Sequence, residues 1–567
     1  MSDKSEAVIG HIIDVQGSVL TASLVEDEQE RIPTVTIGDE DILVGQLGTY
    51  VAIHQGEVNI LALVSRMTEQ EKVAPLAPGE SGAEVVRLSF AQRVVRLVPV
   101  GTLRPDGGFE RGVSTYPTTG AEVRAVGSRE LEQMFSRYRS KGYEVGALSS
   151  HPALTVCLDP SSLFARHFAV LGQTGAGKSW TVASLAQRAV KVMPRAHIIL
   201  LDVHGEYCWT AGKGNRHSAF DDSIFRYVDA RELEIPYWLM TYAELCDLLI
   251  DQTDYSAHNQ TAAFREALNA LRTEEGQALR LERTTLDTPI FFDLMKLRGI
   301  IEAKNGTIPS PTSGKPIKGP LTGAFDNFLM RLDSRLNDVR YDFLLKPKIR
   351  SSSDSLSALL RDFVGLGKPK RPVTVIDLSS VPFDVRPTVA AQIGRLAFEF
   401  NYWNPQFRDF PILLVCEEAH AYIPRATVSQ FAGSRRSMER IAKEGRKYGV
   451  GLGVVSQRPH EVSETVLSQC GTFLCLRLTN PDDQSYVRSL VPEAERDLVD
   501  ILAGLGRGEA MVLGEAVPLP TRLHFHRPKP APSSDDVDFY EKWRSGPEDL
   551  NVDAIVDRWR RQERGAQ

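Results

Sequence analysis

Gly172-Gln173-Thr174-Gly175-Ala176-Gly177-Lys178-Ser179 is a complete G-x-x-x-x-G-K-S loop. Phe168-Ala169-Val170-Leu171 precedes it as a short apolar strand, and residues 180–193 follow as a helix. Strand, loop and helix in that order are the context in which such a loop cradles phosphate. Small residues let the backbone N–H groups close around an anion, and the helix N-terminus adds a favourable dipole. Lys178 is placed to reach the β- and γ-phosphates, and the Ser179 hydroxyl to hold Mg²⁺. The implied cofactors are ATP and Mg²⁺. The candidate nucleotide contacts are Gly172, Thr174, Gly175, Ala176, Gly177, Lys178, Ser179 and Trp180.

A chain of 567 residues is too long for one ordinary domain; about three or four are expected. Hydrophobic residues make up 42% and charged residues 25%, an ordinary globular composition. The net charge of −7 excludes a surface coated in basic groups but leaves room for a basic channel lining. The six cysteines form no C-x-x-C pair, so neither a zinc knuckle nor a disulfide framework is indicated. No basic-then-apolar leader pattern and no membrane-length apolar run occurs, so a cytoplasmic protein without a membrane partner is expected.

Residues 1–100 carry short β-branched blocks separated by glycines and acids, the pattern of a small β-barrel or of an antiparallel sheet. The blocks are 8–15, 18–22, 47–53, 60–64 and 93–100. Residues 101–150 form a transition segment with a short helix over 130–138. From 151 the pattern is α/β. Ala196-His197-Ile198-Ile199-Leu200-Leu201-Asp202, Val373-Thr374-Val375-Ile376-Asp377-Leu378 and Pro411-Ile412-Leu413-Leu414-Val415-Cys416-Glu417-Glu418 are apolar runs that close on acids. Residues 449–455 and 472–478 read as two further strands. Such runs between helices predict a mostly parallel sheet, buried on both faces, with reactive groups at the strand C-termini. The fold class is α/β, a RecA-like P-loop ATPase core spanning 151–239 and 366–520. A helical insertion, 240–365, interrupts it, with helices over 242–250, 260–272, 291–297, 323–339 and 355–363 and a loop over 306–320. The segment 521–567 is a tail of two charged helices, 537–544 and 551–561, behind a proline-rich link. It is either a frayed terminus or a brace on a neighbouring subunit.

Several acids compete for the catalytic roles. Glu417 and Glu418 stand where a strand becomes a loop, so adjacent carboxylates can point apart. Glu417 suits the Mg²⁺ shell, and Glu418 suits polarising the attacking water. A solvated strand end is the plain alternative. In Asp202-Val203-His204-Gly205-Glu206-Tyr207, Asp202 or Glu206 is placed to position water, or the cluster is a hydrogen-bonded turn. Asp377 ranks below Glu418. Gln457, in Ser456-Gln457-Arg458-Pro459, is placed to sense the γ-phosphate through its amide. Residues 435–449 are strongly basic. A P-loop ATPase ring needs a cation from the adjacent subunit, for which Arg446 is the first candidate and Arg440 the second; an ordinary charged helix face is the alternative. Arginine suits the task because its planar fork pairs bidentately with phosphate.

Together, the Gly172–Ser179 loop, the Asp202 to Tyr207 turn, Glu417-Glu418-Ala419-His420, and Gly445-Arg446-Lys447-Tyr448-Gly449 ahead of Ser456-Gln457-Arg458-Pro459 resemble the HerA family of the HerA–FtsK superfamily, in family order over residues 150–520. The resemblance implies a homo-hexamer around a channel for double-stranded DNA, with ATP between subunits. It also implies a partner, either a NurA-like nuclease in DNA end resection or an antiphage effector such as a sirtuin-like NAD hydrolase. An ATP-driven DNA translocase is therefore the expected function. The alternative is an ATPase scaffold that assembles and regulates an effector. A metabolic P-loop kinase explains neither the basic segment nor the terminal modules.

Overall fold

The computed structural model describes residues 8–17, 19–25, 34–37, 40–43, 45–74, 88–104, 108–211, 215–309, 316–319, 321–425, 432–534 and 537–561. The chain divides into two compact units. The first comprises residues 1–194, 454–460 and 467–529, and the second residues 195–453, 461–466 and 530–567.

The first unit opens with a closed six-stranded antiparallel barrel. Its strands are Val8–Gln16, Val19–Leu24, Tyr50–Gln55, Val58–Ala74, Leu88–Leu103 and Glu122–Ala125. Val8–Gln16 lies between Val19–Leu24 and Glu122–Ala125, and Leu88–Leu103 pairs back onto Val19–Leu24 to close the ring. Strand Val19–Leu24 alternates half-buried and buried side chains along its length, so period-2 burial points Leu20, Ala22 and Leu24 into a core with Ile12, Ile53, Ile60 and Val64. Closure leaves no unpaired edge. The barrel predicted from the sequence is thus present, and the strand that completes it, Glu122–Ala125, falls inside the expected transition segment. The barrel is fastened to the rest of its unit by polar bonds. The Tyr50 hydroxyl donates to the Pro520 carbonyl at 2.6 Å, and Arg111 pairs with the buried Glu495 at 2.7 Å.

The remaining sheet of this unit runs Thr155–Cys157, Glu144–Leu148, Thr521–Phe525, Glu509–Gly514, Thr472–Cys475, Phe168–Leu171. Only the last two pair in parallel; the other pairings are antiparallel. The parallel pair joins two strands expected from the sequence, and the four antiparallel strands beside it are additions that the sequence reading did not anticipate. The links 149–154 and 515–520 are too short for the helical crossover that parallel neighbours need.

In the second unit Ile412–Cys416, Ile198–Asp202, Val373–Asp377 and Phe225–Asp229 lie side by side and all parallel, every residue of the first three buried. Asp202 and Asp229 are both in register with Asp377, so the strands end on one acidic rim. Between Phe225–Asp229 and Val373–Asp377 sits the helical insertion: Tyr242–Leu249, Ala257–Ala278, Leu294–Asn305, Asp326–Leu336 and Leu356–Phe363. The third helix starts later than its sequence pattern suggests because Asp293 caps it, accepting from the amides of Met295 and Lys296. Within the expected loop 306–320, Thr307–Pro309 and Pro316–Lys318 pair as a small hairpin, and residues 310–315 and 320 lie outside the described ones. The tail helices are Phe539–Ser545 and Val552–Arg561. All six cysteines are free and buried. Among the described residues no helix is long and apolar enough to cross a membrane.

Phe264, wholly buried in the insertion, stacks on Tyr242 at 5.8 Å and meets Phe328 at 5.9 Å between ring centroids. Truncating it empties a packed site, which typically costs about 3–5 kcal/mol. Phe264→Ala is therefore expected to lower the melting transition in scanning calorimetry, and an unchanged transition would show that the insertion does not melt with the measured unit.

Candidate nucleotide site

The glycine loop belongs to the first unit, between the buried strand Phe168–Leu171 and the helix Lys178–Val192. Its shape is set by backbone bonds. The amide of Gly172 donates to the Ser456 carbonyl at 3.3 Å, that of Gln173 to Arg477 at 2.9 Å, and that of Gly508 to Ala176 at 3.0 Å. Gly175 and Gly177 are left-handed, with φ of 74° and 104°. A Cβ at Gly172 would stand 2.9 Å from the Leu476 Cβ. Larger residues are thus excluded by conformation at two positions and by space at a third. Lys178, though buried, is held across the loop, its Nζ 3.3 Å from the Gln173 carbonyl. The Thr174 hydroxyl donates to the Gln457 side-chain oxygen at 2.5 Å, and the Thr479 hydroxyl to that of Gln173 at 2.6 Å. Gln457 therefore stands against the loop. These features fit a polyphosphate bound by backbone amides and Lys178, with Ser179 on the first helical turn to hold its cation.

The acids lie in the second unit. Asp202 ends its strand buried, and its carboxylate is committed to the turn that follows. Oδ1 accepts from the amides of His204, Gly205 and Glu206 at 3.2, 2.8 and 3.1 Å, and Oδ2 from Tyr207 at 2.9 Å. Burial outweighs these donors, and repulsion from Asp377 adds to it, so its pKa is pushed up to about 7. Asp377 is also occupied, taking the Tyr227 hydroxyl at 2.7 Å and the Ser379 amide at 2.7 Å. Of the two readings of the Asp202 turn, this geometry is the hydrogen-bonded one.

The turn delivers Tyr207, whose hydroxyl donates to Glu417 Oε1. Burial beside the Glu417 charge raises the Tyr207 pKa well above its ordinary value, so it stays a donor. Tyr422 donates to the Glu417 carbonyl at 2.9 Å. Sequence reasoning missed both tyrosines, because nothing in the pattern says which aromatic reaches a strand tip. Glu418 follows with φ 46° and ψ 47°. A glutamate in the left-handed region is uncommon and persists only where its surroundings enforce it, frequently at active sites. Its Oε2 is buried without a hydrogen bond, 3.2 Å from His420 Nδ1.

The two basic candidates separate clearly. The Arg440 guanidinium lies 4.3 Å from the Phe398 ring centroid and 5.6 Å from that of Tyr402, and it lines a cavity of about 210 Å³ with Arg395, Arg436 and Glu244. Arg446, on the 3₁₀ turn Gly445–Tyr448, is exposed and pairs with none of the described residues.

A glycine loop bound by its backbone and a fan of parallel strands tipped with carboxylates define a P-loop ATPase. Residues 143–397 match the family model for the central domain of helicase HerA. The chain is 29% identical over 453 residues to the DNA double-strand break repair helicase HerA of Sulfolobus acidocaldarius, spanning 78% of this chain and 80% of the relative. It is 29% identical over 491 residues to the protein of the same name from Pyrococcus furiosus, spanning 81% of each. VirB4 of Thermoanaerobacter pseudethanolicus is a more distant likeness, with TM-score 0.45 and 17% identity over 68% of this chain and 95% of that one. The chain is thus similar to HerA helicases, through its central domain and through relatives that span most of its length, and it is an ATP-hydrolysing enzyme.

Two outcomes are expected. Asparagine tolerates the left-handed backbone but lacks the carboxylate, so Glu418→Asn should melt no lower than the parent while hydrolysis falls by about 10²-fold or more; a lower melting point with hydrolysis retained would make Glu418 structural. Because the folded-state pKa of Asp202 lies above its unfolded value, the folded state binds the extra proton between about pH 4 and 7, and this residue's contribution to stability declines as pH rises through that window. Asp202→Asn should accordingly lose less stability than the parent between those limits in paired chemical denaturation curves.

Proposed function

We propose that this protein is an ATP-driven translocase of double-stranded DNA that works as a homo-hexamer. Backbone amides of residues 172–177 and Lys178 bind the phosphates, and Ser179 and Glu417 hold Mg²⁺, which neutralises charge on the transferring phosphate. Tyr207, held by the Asp202 turn, fixes the Glu417 side chain. Glu418 takes the proton of the attacking water, and Gln457 reports on the γ-phosphate through Thr174.

The observation that carries the ring is Arg446. An exposed guanidinium without a counterion among the described residues is what a neighbouring subunit's site requires, and it is worth several powers of ten in rate where such a finger acts. Arg440 is occupied by its own aromatic rings. The tail adds to this reading. Phe539, Tyr540, Trp543 and Trp559 are 61–83% exposed on short helices, an apolar surface suited to bracing an adjacent copy. The relatives' names, DNA double-strand break repair helicases, direct the motor toward DNA. A NurA-like nuclease or an antiphage effector would then supply the cutting or NAD-hydrolysing activity. The competing role, an ATPase scaffold for such an effector, predicts turnover indifferent to DNA.

ATP hydrolysis with and without linear double-stranded DNA, recorded with oligomer mass, separates the two. A hexamer stimulated by DNA supports the translocase, and a hexamer indifferent to DNA supports the scaffold. Lys178→Ala is expected to abolish turnover. Mixing Lys178→Ala with Arg446→Ala subunits should restore part of the activity, because some interfaces then combine an intact loop with an intact finger; no recovery would remove Arg446 from the shared site.

A further inference from the structure

The phosphate end of the loop is accounted for by Gly172 to Ser179 and Gln457, but nothing above holds a nucleoside. A nucleotide whose phosphates lie in the loop carries its ribose and base beyond the α-phosphate. The first turn of the helix Lys178–Val192 lies beside the loop, and Trp180 stands on that turn, half-buried. Its indole Nε1–H is buried and has no hydrogen-bond partner. Two guanidiniums close on the same ring, Arg507 at 5.2 Å and Arg527 at 5.7 Å from its centroid. Both arginines are exposed.

The two arginines come from separate segments, each fastened to the loop or its helix by a neighbouring residue. The amide of Gly508, next to Arg507, donates to the Ala176 carbonyl inside the loop at 3.0 Å. Beyond Arg527, the Lys529 amide donates to the Gln187 side-chain oxygen on the loop's own helix at 3.0 Å. The Phe525 amide donates to the Gly508 carbonyl at 3.0 Å, tying the segments to each other. An indole and two guanidiniums are planar groups on which nucleobases stack. The unpartnered indole N–H is a donor that a ribose oxygen or a ring nitrogen can satisfy.

Resting on the assignment of the loop as the nucleotide site, we propose that Trp180, Arg507 and Arg527 form its nucleoside end and hold the base and ribose of a purine nucleotide. These side chains present only donors and π-faces to the ligand. They offer no acceptor to the adenine amino group, so they grip a purine without telling adenine from guanine.

The test is the affinity of the full-length protein for ATP and for inorganic tripolyphosphate, measured by calorimetry. Tripolyphosphate engages the loop but has no nucleoside. Trp180→Ala is expected to weaken ATP by about tenfold or more and leave tripolyphosphate unchanged, while Trp180→Phe, which keeps a stacking face but loses the N–H, falls between the parent and Trp180→Ala for ATP and matches the parent for tripolyphosphate. Arg507→Ala and Arg527→Ala should each weaken ATP alone. Unchanged ATP affinity in Trp180→Ala overturns the proposal. So does an equal loss for both ligands, which would mean that these residues serve the phosphates or merely the fold. Lys178→Ala separates the underlying assignment: if it binds tripolyphosphate like the parent, the loop itself is not the phosphate site, whatever the tryptophan variants do.

Discussion

Close backbone approach around the glycine loop is the constraint from which the first unit is built. Three separate segments bond to three residues of the loop, Gly172, Gln173 and Ala176, through Ser456, Arg477 and Gly508, and each arrives at main-chain distance. That is possible because glycines stand at 172, 175 and 177, where the approaching backbone leaves least room. A Cβ at Gly172 would collide with Leu476, and one at Gly177 would press on the Gly508 backbone at 3.3 Å. The loop is therefore preshaped by its neighbours, and its amides are positioned before any ligand supplies a reason for it.

In the second unit the corresponding economy is a relay of buried polar groups. Asp202 uses both oxygens to fold one turn, the turn delivers Tyr207, and Tyr207 holds Glu417. The aspartate is a positioning residue, expensive to bury and compensated by amides that would otherwise go unpaired. Glu418, next along, has no such support and sits instead on strained backbone. The two neighbouring carboxylates are thus in opposite circumstances, one immobilised by donors and one left without a hydrogen bond at Oε2.

Much of this was legible in the sequence. The apolar runs ending in acids became buried strands ending on one rim, because full burial and parallel pairing both demand uninterrupted β-branched and aliphatic residues. The barrel blocks were legible for the opposite reason, their alternation. Strand Glu122–Ala125 was not, since four residues carry too little pattern to stand out from a loop. Nor were the antiparallel pairings of Glu144–Leu148 with Thr521–Phe525, which join distant parts of the chain. At the site, residue types announced the loop and the paired glutamates. They did not announce that the Asp202 carboxylate is spent on backbone, or that Arg440 is occupied by two rings while Arg446 is open. Those distinctions depend on which neighbour the fold supplies, and a single sequence does not carry that information.

The burial of every cysteine has a practical consequence. Cys157, Cys208, Cys246, Cys416, Cys470 and Cys475 are packed inside, and burial pushes the thiols of Cys416, Cys470 and Cys475 up to about 12. Thiolate, the form that reacts with maleimides, is therefore scarce on the native chain. A single cysteine introduced on an exposed helix can be coupled to a fluorophore in the otherwise unaltered protein, so the motor can be watched at one chosen position without first stripping its interior of sulfur.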